Sequence, residues 1–108
     1  MNPYDLHIAY VSWGSDGKHR PVLVLSANQD EVAVFAVTSQ YYNKSAAIKA
    51  QYIAIDDWKE AGLTKPSYID IGRIIDLPIT AVLPTPIGKL SENDLHKLLN
   101  ALVMSEQT

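Results

Sequence analysis

Two short apolar runs, Val22 to Ser26 and Glu31 to Val37, stand only four residues apart and constrain the fold more than any other feature of the chain. Runs of this length, rich in β-branched residues and bounded by turn formers, are strands and not helices. The intervening Ala27-Asn28-Gln29-Asp30 is a short polar turn, so the two strands are expected to pair antiparallel. The VLVL sequence of the first run implies burial on both faces. Pro21 cannot donate to a ladder and is expected to begin that strand. Upstream, Leu6 to Ser12 (LHIAYVS) reads as a third strand, with Trp13-Gly14-Ser15-Asp16-Gly17 as the loop that closes an antiparallel meander.

Beyond Val37 the pattern weakens. Thr38 to Lys49 gains Ser, Gln, Tyr, Asn and Lys, which predicts an exposed loop with a short helical turn around Ala46, the kind of segment that carries binding groups. Tyr52 to Ile55 reads as a short strand, and Asp56 to Gly62 as one capped helical turn stopped by glycine. Ser67 to Ile71 and Arg73 to Leu77 supply further sheet as a later hairpin, with Gly72 as a bulge or bend between them. Pro78, Pro84 and Pro86 make a central strand improbable in the passage that follows. Ser91 with Asp94 three residues later forms a capping-box pattern before Leu95, Leu98, Leu99, Leu102 and Val103, whose spacing marks one core-facing side of a final helix. Several short strands with one helix imply a small, strongly curved sheet or partly open barrel.

At 108 residues the chain fits one domain, residues 1–108, since two pieces would each be too small to bury a stabilising core. Apolar residues at 47% against 19% charged exclude the disordered class. The absence of cysteine removes disulfide frameworks and thiolate metal sites, and suits a reducing cytoplasm. No signal-peptide pattern or membrane-spanning run is visible, so a cytoplasmic protein with no membrane association is expected. The net charge of −3 argues against general electropositive binding of nucleic acid. Between Lys18 and Arg73, however, seven Lys or Arg face six Asp or Glu, so a local basic groove is compatible with the overall balance.

Several common machines are excluded. There is no Walker loop, no GxGxxG and no HExxH, and His7, His19 and His96 fall in three different elements, so no metal site is expected. What remains is Lys18-His19-Arg20-Pro21 entering one strand, Val37-Thr38-Ser39 leaving the next, and Asp70 with Arg73 further on. Cleaving RNA without a metal requires a base for the ribose hydroxyl, charge stabilisation at phosphorus and a proton for the leaving oxygen. Arginine can fork onto phosphate oxygens, a threonine hydroxyl can donate, and a carboxylate or imidazole can accept the proton. Each residue also has a structural reading: a solvated strand-edge Arg20, a strand-forming Thr38, an Asp70 that caps a bend. Tyr52 and Trp58 read more simply as core residues.

Five fragments, in this order along most of the chain, carry a family resemblance. GKHRPVLVLS, VAVFAVTSQ, DWKEAGLTKPS, SYIDIGRIIDLP and IGKLSENDLHKLLNAL are together similar to the MazF/PemK toxins of type II toxin–antitoxin systems. The resemblance implies a mainly β fold, an SH3-like, partly open small barrel of the MazF/PemK/CcdB kind with a C-terminal α-helix. It also implies a homodimer, a cognate antitoxin, contact with DNA only through that antitoxin, and no cofactor. The implied activity is metal-independent cleavage of single-stranded RNA, such as mRNA, to a 2′,3′-cyclic phosphate and a 5′-hydroxyl. On the matching positions, Arg20 would stabilise the transition state, Thr38 would orient the phosphate, and Asp70 or His19 would take the proton. RNA contacts are expected from Lys18, Ser39 and Arg73, with Tyr41 and Tyr42 placed to stack on bases. The pattern departs at Tyr68, where the PemK branch has an arginine.

Two other functions fit a fold of this kind. A non-catalytic SH3-like binding module suits the acidic balance, because fold alone does not decide function. A CcdB-type gyrase poison fits less well, since its Trp-Gly-Ile tail is absent from Val103-Met104-Ser105-Glu106-Gln107-Thr108.

Overall fold

The computed structural model describes residues 1–13 and 15–106. Gly14 of the expected loop, and Gln107 and Thr108 of the tail, lie outside the described residues. The chain forms β1 (Asp5–Trp13), β2 (Asp16–Ala27), β3 (Glu31–Thr38), α1 (Ala46–Lys49), β4 (Tyr52–Ile55), β5 (Ser67–Pro78), β6 (Gly88–Lys89) and α2 (Glu92–Glu106). A 3-10 turn at Ile79–Ala81 lies between β5 and β6. The six strands make one sheet in the order β4-β5-β3-β2-β1-β6, so the barrel is partly open, with β4 and β6 as its edges.

The meander β1-β2-β3 forms as its turn signals imply. Asn28 closes the β2–β3 turn by accepting the Asp30 and Glu31 N–H groups, both at 2.8 Å, as a short polar side chain does in an Asx turn. Both faces of the VLVL run are buried. Leu23 packs with Leu6, Phe35, Val37, Ile69 and Leu98, while Val22 and Val24 pack with Ala9, Val32, Val34, Leu77 and Val82 on the other side. The curled sheet closes over this second cluster, and α2 with the segment 56–63 covers the first.

Four expectations are corrected. Pro21 lies inside β2, paired with Ile8, and the strand begins at Asp16. The missing N–H is tolerated because β3 joins β2 only from Val22↔Ala36 onward, so at Pro21 the strand has β1 as its one registered partner. The β1–β2 loop is also shorter than expected, with the ladder running out to Trp13↔Asp16. Ser67 to Leu77 is not a hairpin. Both halves belong to β5 and pair with β3, and the register jumps from Val34↔Ile75 to Ala36↔Asp70, leaving Ile71 to Ile74 as a wide bulge. Gly72 lies in it, with the end of the Gln51 side chain in the space a Cβ would take.

The last correction concerns α2. Leu98 is fully buried and Leu95 and Leu102 are half-buried, whereas Leu99 and Val103 are exposed, so the apolar stripe in contact with the core is narrower than the spacing suggested. Ser91 Oγ accepts the Asp94 N–H at 3.2 Å, as a cap should. Besides accepting from the Ser91 hydroxyl at 3.4 Å, the Asp94 carboxylate reaches away from its own helix. It accepts the Asp56 N–H at 2.9 Å and the Asp57 N–H at 2.8 Å. The segment it holds is the expected single turn, ended by a Schellman pair in which Leu63 N–H reaches Trp58 O and Gly62 N–H reaches Lys59 O. Gly62 has φ +85°, and a Cβ would run into the Ile87 carbonyl, so glycine is required on both counts.

Candidate functional site

The β2–β3 ladder stops at Val22↔Ala36, although both strands continue. Beyond that pair the strands part, and a cavity of about 580 Å³ opens between them. Its apolar floor is Ile8, Pro21, Val37, Leu63 and Ile87. Around the floor stand Lys18, His19 and Arg20 from β2, Thr38 and Ser39 from the end of β3, Gln40 and Lys44 from the following loop, and Thr64, Lys65 and Ser67 from the approach to β5. Four of the nine Lys and Arg residues line this cavity and no Asp or Glu does. In a chain of net charge −3, this concentrates positive potential in one cleft, where low-dielectric walls strengthen its attraction for an anion.

Strand alternation distributes the side chains. Arg20 pairs with Ala9, and Thr38 pairs with Tyr68, on the face that carries the Val22 cluster. Counted from Val22↔Ala36, Arg20 and Thr38 each lie two residues further, so they stand across the gap from one another. His19 points to the other face, where its ring meets Tyr10 edge to face with centroids 5.3 Å apart. Thr38 Oγ1 accepts the Gln40 N–H at 3.0 Å, which leaves its own O–H available to donate.

Lys18, His19, Arg20, Thr38 and Ser39 all line the cavity, but alternation puts Lys18, Arg20 and Thr38 on the Val22 face and His19 and Ser39 on the face of Pro21 and Val37; Asp70, Arg73, Tyr41 and Tyr42 are not among the lining residues. Asp70 lies one row away from Thr38 on the same face, in the register Val22–Ala36–Asp70–Tyr52. Its Oδ1 accepts the Gly72 N–H at 2.9 Å and holds the β5 bulge. Arg73 is exposed in that bulge. Lys44, Lys65, Gln40 and Thr64 are additions that local sequence patterns do not identify, because they reach the cleft only through the tertiary fold.

Beside Thr38 lies a second cluster. Tyr41 stacks on Tyr68 with centroids 4.3 Å apart and planes 11° apart, Tyr52 flanks Tyr68 at 6.3 Å, and Tyr42 meets Tyr41 edge to face at 5.4 Å. Burial pushes the Tyr68 phenol above its ordinary value, and the adjacent, hydrogen-bonded Tyr42 and then Tyr41 act in the same direction. Burial, followed by the nearby Asp70 charge, raises the Tyr52 phenol. Among the described residues no three His, Asp or Glu side chains gather as metal ligands, and no helix is long and apolar enough to cross a membrane.

The fold has solved counterparts. The chain is similar to the Mycobacterium tuberculosis toxin MazF-mt6, with 24% identity, 90% of each chain covered and a TM-score of 0.68. It is also similar to an endoribonuclease in complex with its cognate antitoxin from Mycobacterial species, with 15% identity, 98% of this chain and 96% of that one covered, and a TM-score of 0.62. No curated protein sequence matches it. The model of the PemK-like, MazF-like toxins of type II toxin–antitoxin systems matches residues 5–105, nearly the whole length, and the chain belongs to that family.

Proposed function

We propose that the chain is a metal-independent endoribonuclease that cuts single-stranded RNA to a 2′,3′-cyclic phosphate and a 5′-hydroxyl. The observation that carries this reading is the cleft between β2 and β3, which Lys18, Arg20, Lys44 and Lys65 line together with Thr38 and Ser39. In the reaction the ribose 2′-oxygen bonds to phosphorus as its proton passes to a base. The bond from phosphorus to the 5′-oxygen then breaks, and that oxygen takes a proton. The nucleophile is part of the substrate, so the reaction needs no metal-activated water. Arg20 holds the charge on the phosphorane oxygens with its planar fork, and Thr38 donates from across the gap. His19, which lines the cavity on the opposite face from Arg20, and Asp70, one row from Thr38 outside the lining, are the two candidates to accept the proton. The rate of a His19→Gln or Asp70→Asn variant against pH identifies which does, because removing the base abolishes the acid limb of the profile.

The same reading includes a homodimer and a cognate antitoxin whose acidic segment competes with RNA for the cleft. The deciding experiment is incubation of the purified protein with a varied set of single-stranded RNAs in excess chelator. Cleavage with cyclic-phosphate ends is expected. RNAs that bind but stay intact would convert the reading to a non-catalytic binding module.

A further inference from the structure

Tyr42 is 86% exposed, yet the loop that carries it is closely tied down. Lys44 N–H reaches Tyr41 O at 3.0 Å, the Asn43 side chain reaches Gln40 Oε1 at 3.3 Å, and Gln40 N–H is held by Thr38 Oγ1. Ser45 Oγ, 3.3 Å from the Ile48 N–H, caps α1 just beyond. Tyr41 itself has no open face: one side is stacked on Tyr68, and the Lys49 ammonium lies over the ring 5.0 Å from its centroid, which must be the other side. Tyr41 and Tyr68 therefore form a brace, and Tyr42 is the ring it presents to solvent. The edge contact with Tyr41 and the hydrogen bond to Tyr68 fix the Tyr42 ring, yet most of its apolar surface stays wet and gains little from burial in the isolated chain. The same arrangement lowers the ordering cost of binding a flat partner.

We infer that Tyr42 is a stacking platform for one nucleobase of the strand whose phosphates lie in the β2–β3 cleft, with Tyr41 and Tyr68 as positioning residues. This rests on the RNA-cleaving reading. Continuity between the two places supports it: Lys44 lines the cleft two residues after Tyr42, and Thr38 both lines the cleft and pairs with Tyr68. The Lys49 ammonium, 5.9 Å from the Tyr42 ring centroid, would lie next to the incoming nucleotide. Stacking tolerates any base, so this seat adds affinity and position without a sequence code.

The test is binding of a short single-stranded RNA with 2′-deoxy sugars, which cannot be cut, in chelator and at two salt concentrations. Tyr42→Ala is expected to weaken binding about tenfold at both, since stacking releases no counterions, while Tyr42→Phe and Tyr42→Trp bind as wild type. Tyr68→Ala should act in the same direction and Tyr68→Phe less. In a scan with one abasic position at a time, a single position should weaken wild-type binding and have no further effect in Tyr42→Ala. If wild type binds and Tyr42→Ala equals it, or no abasic position is lost in the variant, the platform is overturned and the nuclease reading stands. If Tyr42→Ala instead changes the mass of the protein in solution, the ring belongs to a protein interface and the inference is again overturned. If wild type binds no RNA, both readings fail.

Discussion

At the start of α2 one buried carboxylate, that of Asp94, ties two segments together, whereas the cleft between β2 and β3 is lined by cations and hydroxyls. Asp94, 1% exposed, accepts two backbone N–H groups from a segment 37 and 38 residues away, and Lys97 approaches it at 3.9 Å while bonding Asp56 at 2.9 Å and Ala54 O at 2.7 Å. In the cleft four cations and several hydroxyls line a cavity with no carboxylate among them. Like charges gathered in one cleft destabilise a fold slightly, and buried hydrogen-bonded carboxylates hold one together. The difference separates a carboxylate that fixes the structure from a cleft whose charge suits an anionic ligand.

The comparison can be broken from either end. The largest effect is expected at Arg20: Arg20→Ala should lose about 3 to 5 kcal/mol of transition-state stabilisation, by analogy with the loss of a preorganised oxyanion donor or an arginine finger. Thr38→Ala, which removes one neutral donor, should lose about 1 kcal/mol. Single-turnover cleavage of a defined RNA measures both, and an unchanged thermal melting curve for Arg20→Ala would show that the loss is chemical. At the enclosed end Asp94→Ala should cost about 3 kcal/mol of stability in urea unfolding, because two backbone donors lose a charged acceptor. Its effect on cleavage by the protein that remains folded should be small. Comparable stability losses from Arg20→Ala and Asp94→Ala would erase the distinction.

The smallest expected effect is at the tyrosine cluster. Tyr52 has a phenol raised above 10.0 by burial and by Asp70. A raised acid adds stability that is full below its unfolded value and is lost as pH rises through its folded value. Tyr52→Phe should therefore flatten the fall in stability above about pH 10, measured by urea unfolding at a series of pH values, and leave neutral pH nearly unchanged.

Elements specified by their own residues were legible in the sequence. The Asn28 turn, the α1 turn at Ala46, the Gly62 stop and the Ser91 cap all depend on contacts within a few residues. What was hidden depends on distant partners. Asp94 resembles a capping-box acid until residues 56 and 57 come within reach, and β5 resembles a hairpin until β3 is seen to pair with both halves. At the site, Lys18 to Arg20 and Thr38 were legible as motif residues. Lys44 and Lys65 were not, because the parting of two strands is not written in either one.

A sheet that does not close leaves two rows of backbone groups able to recruit a strand from another molecule. Here the edge strands are the four residues of β4, paired with Ser67–Asp70 of β5, and the two residues of β6, paired with Asp5 and Leu6 of β1. Pro84 and Pro86, just before β6, have no N–H with which to extend it. Edge strands this short are poor templates for a further strand, so the sheet ends at them without being closed into a full barrel.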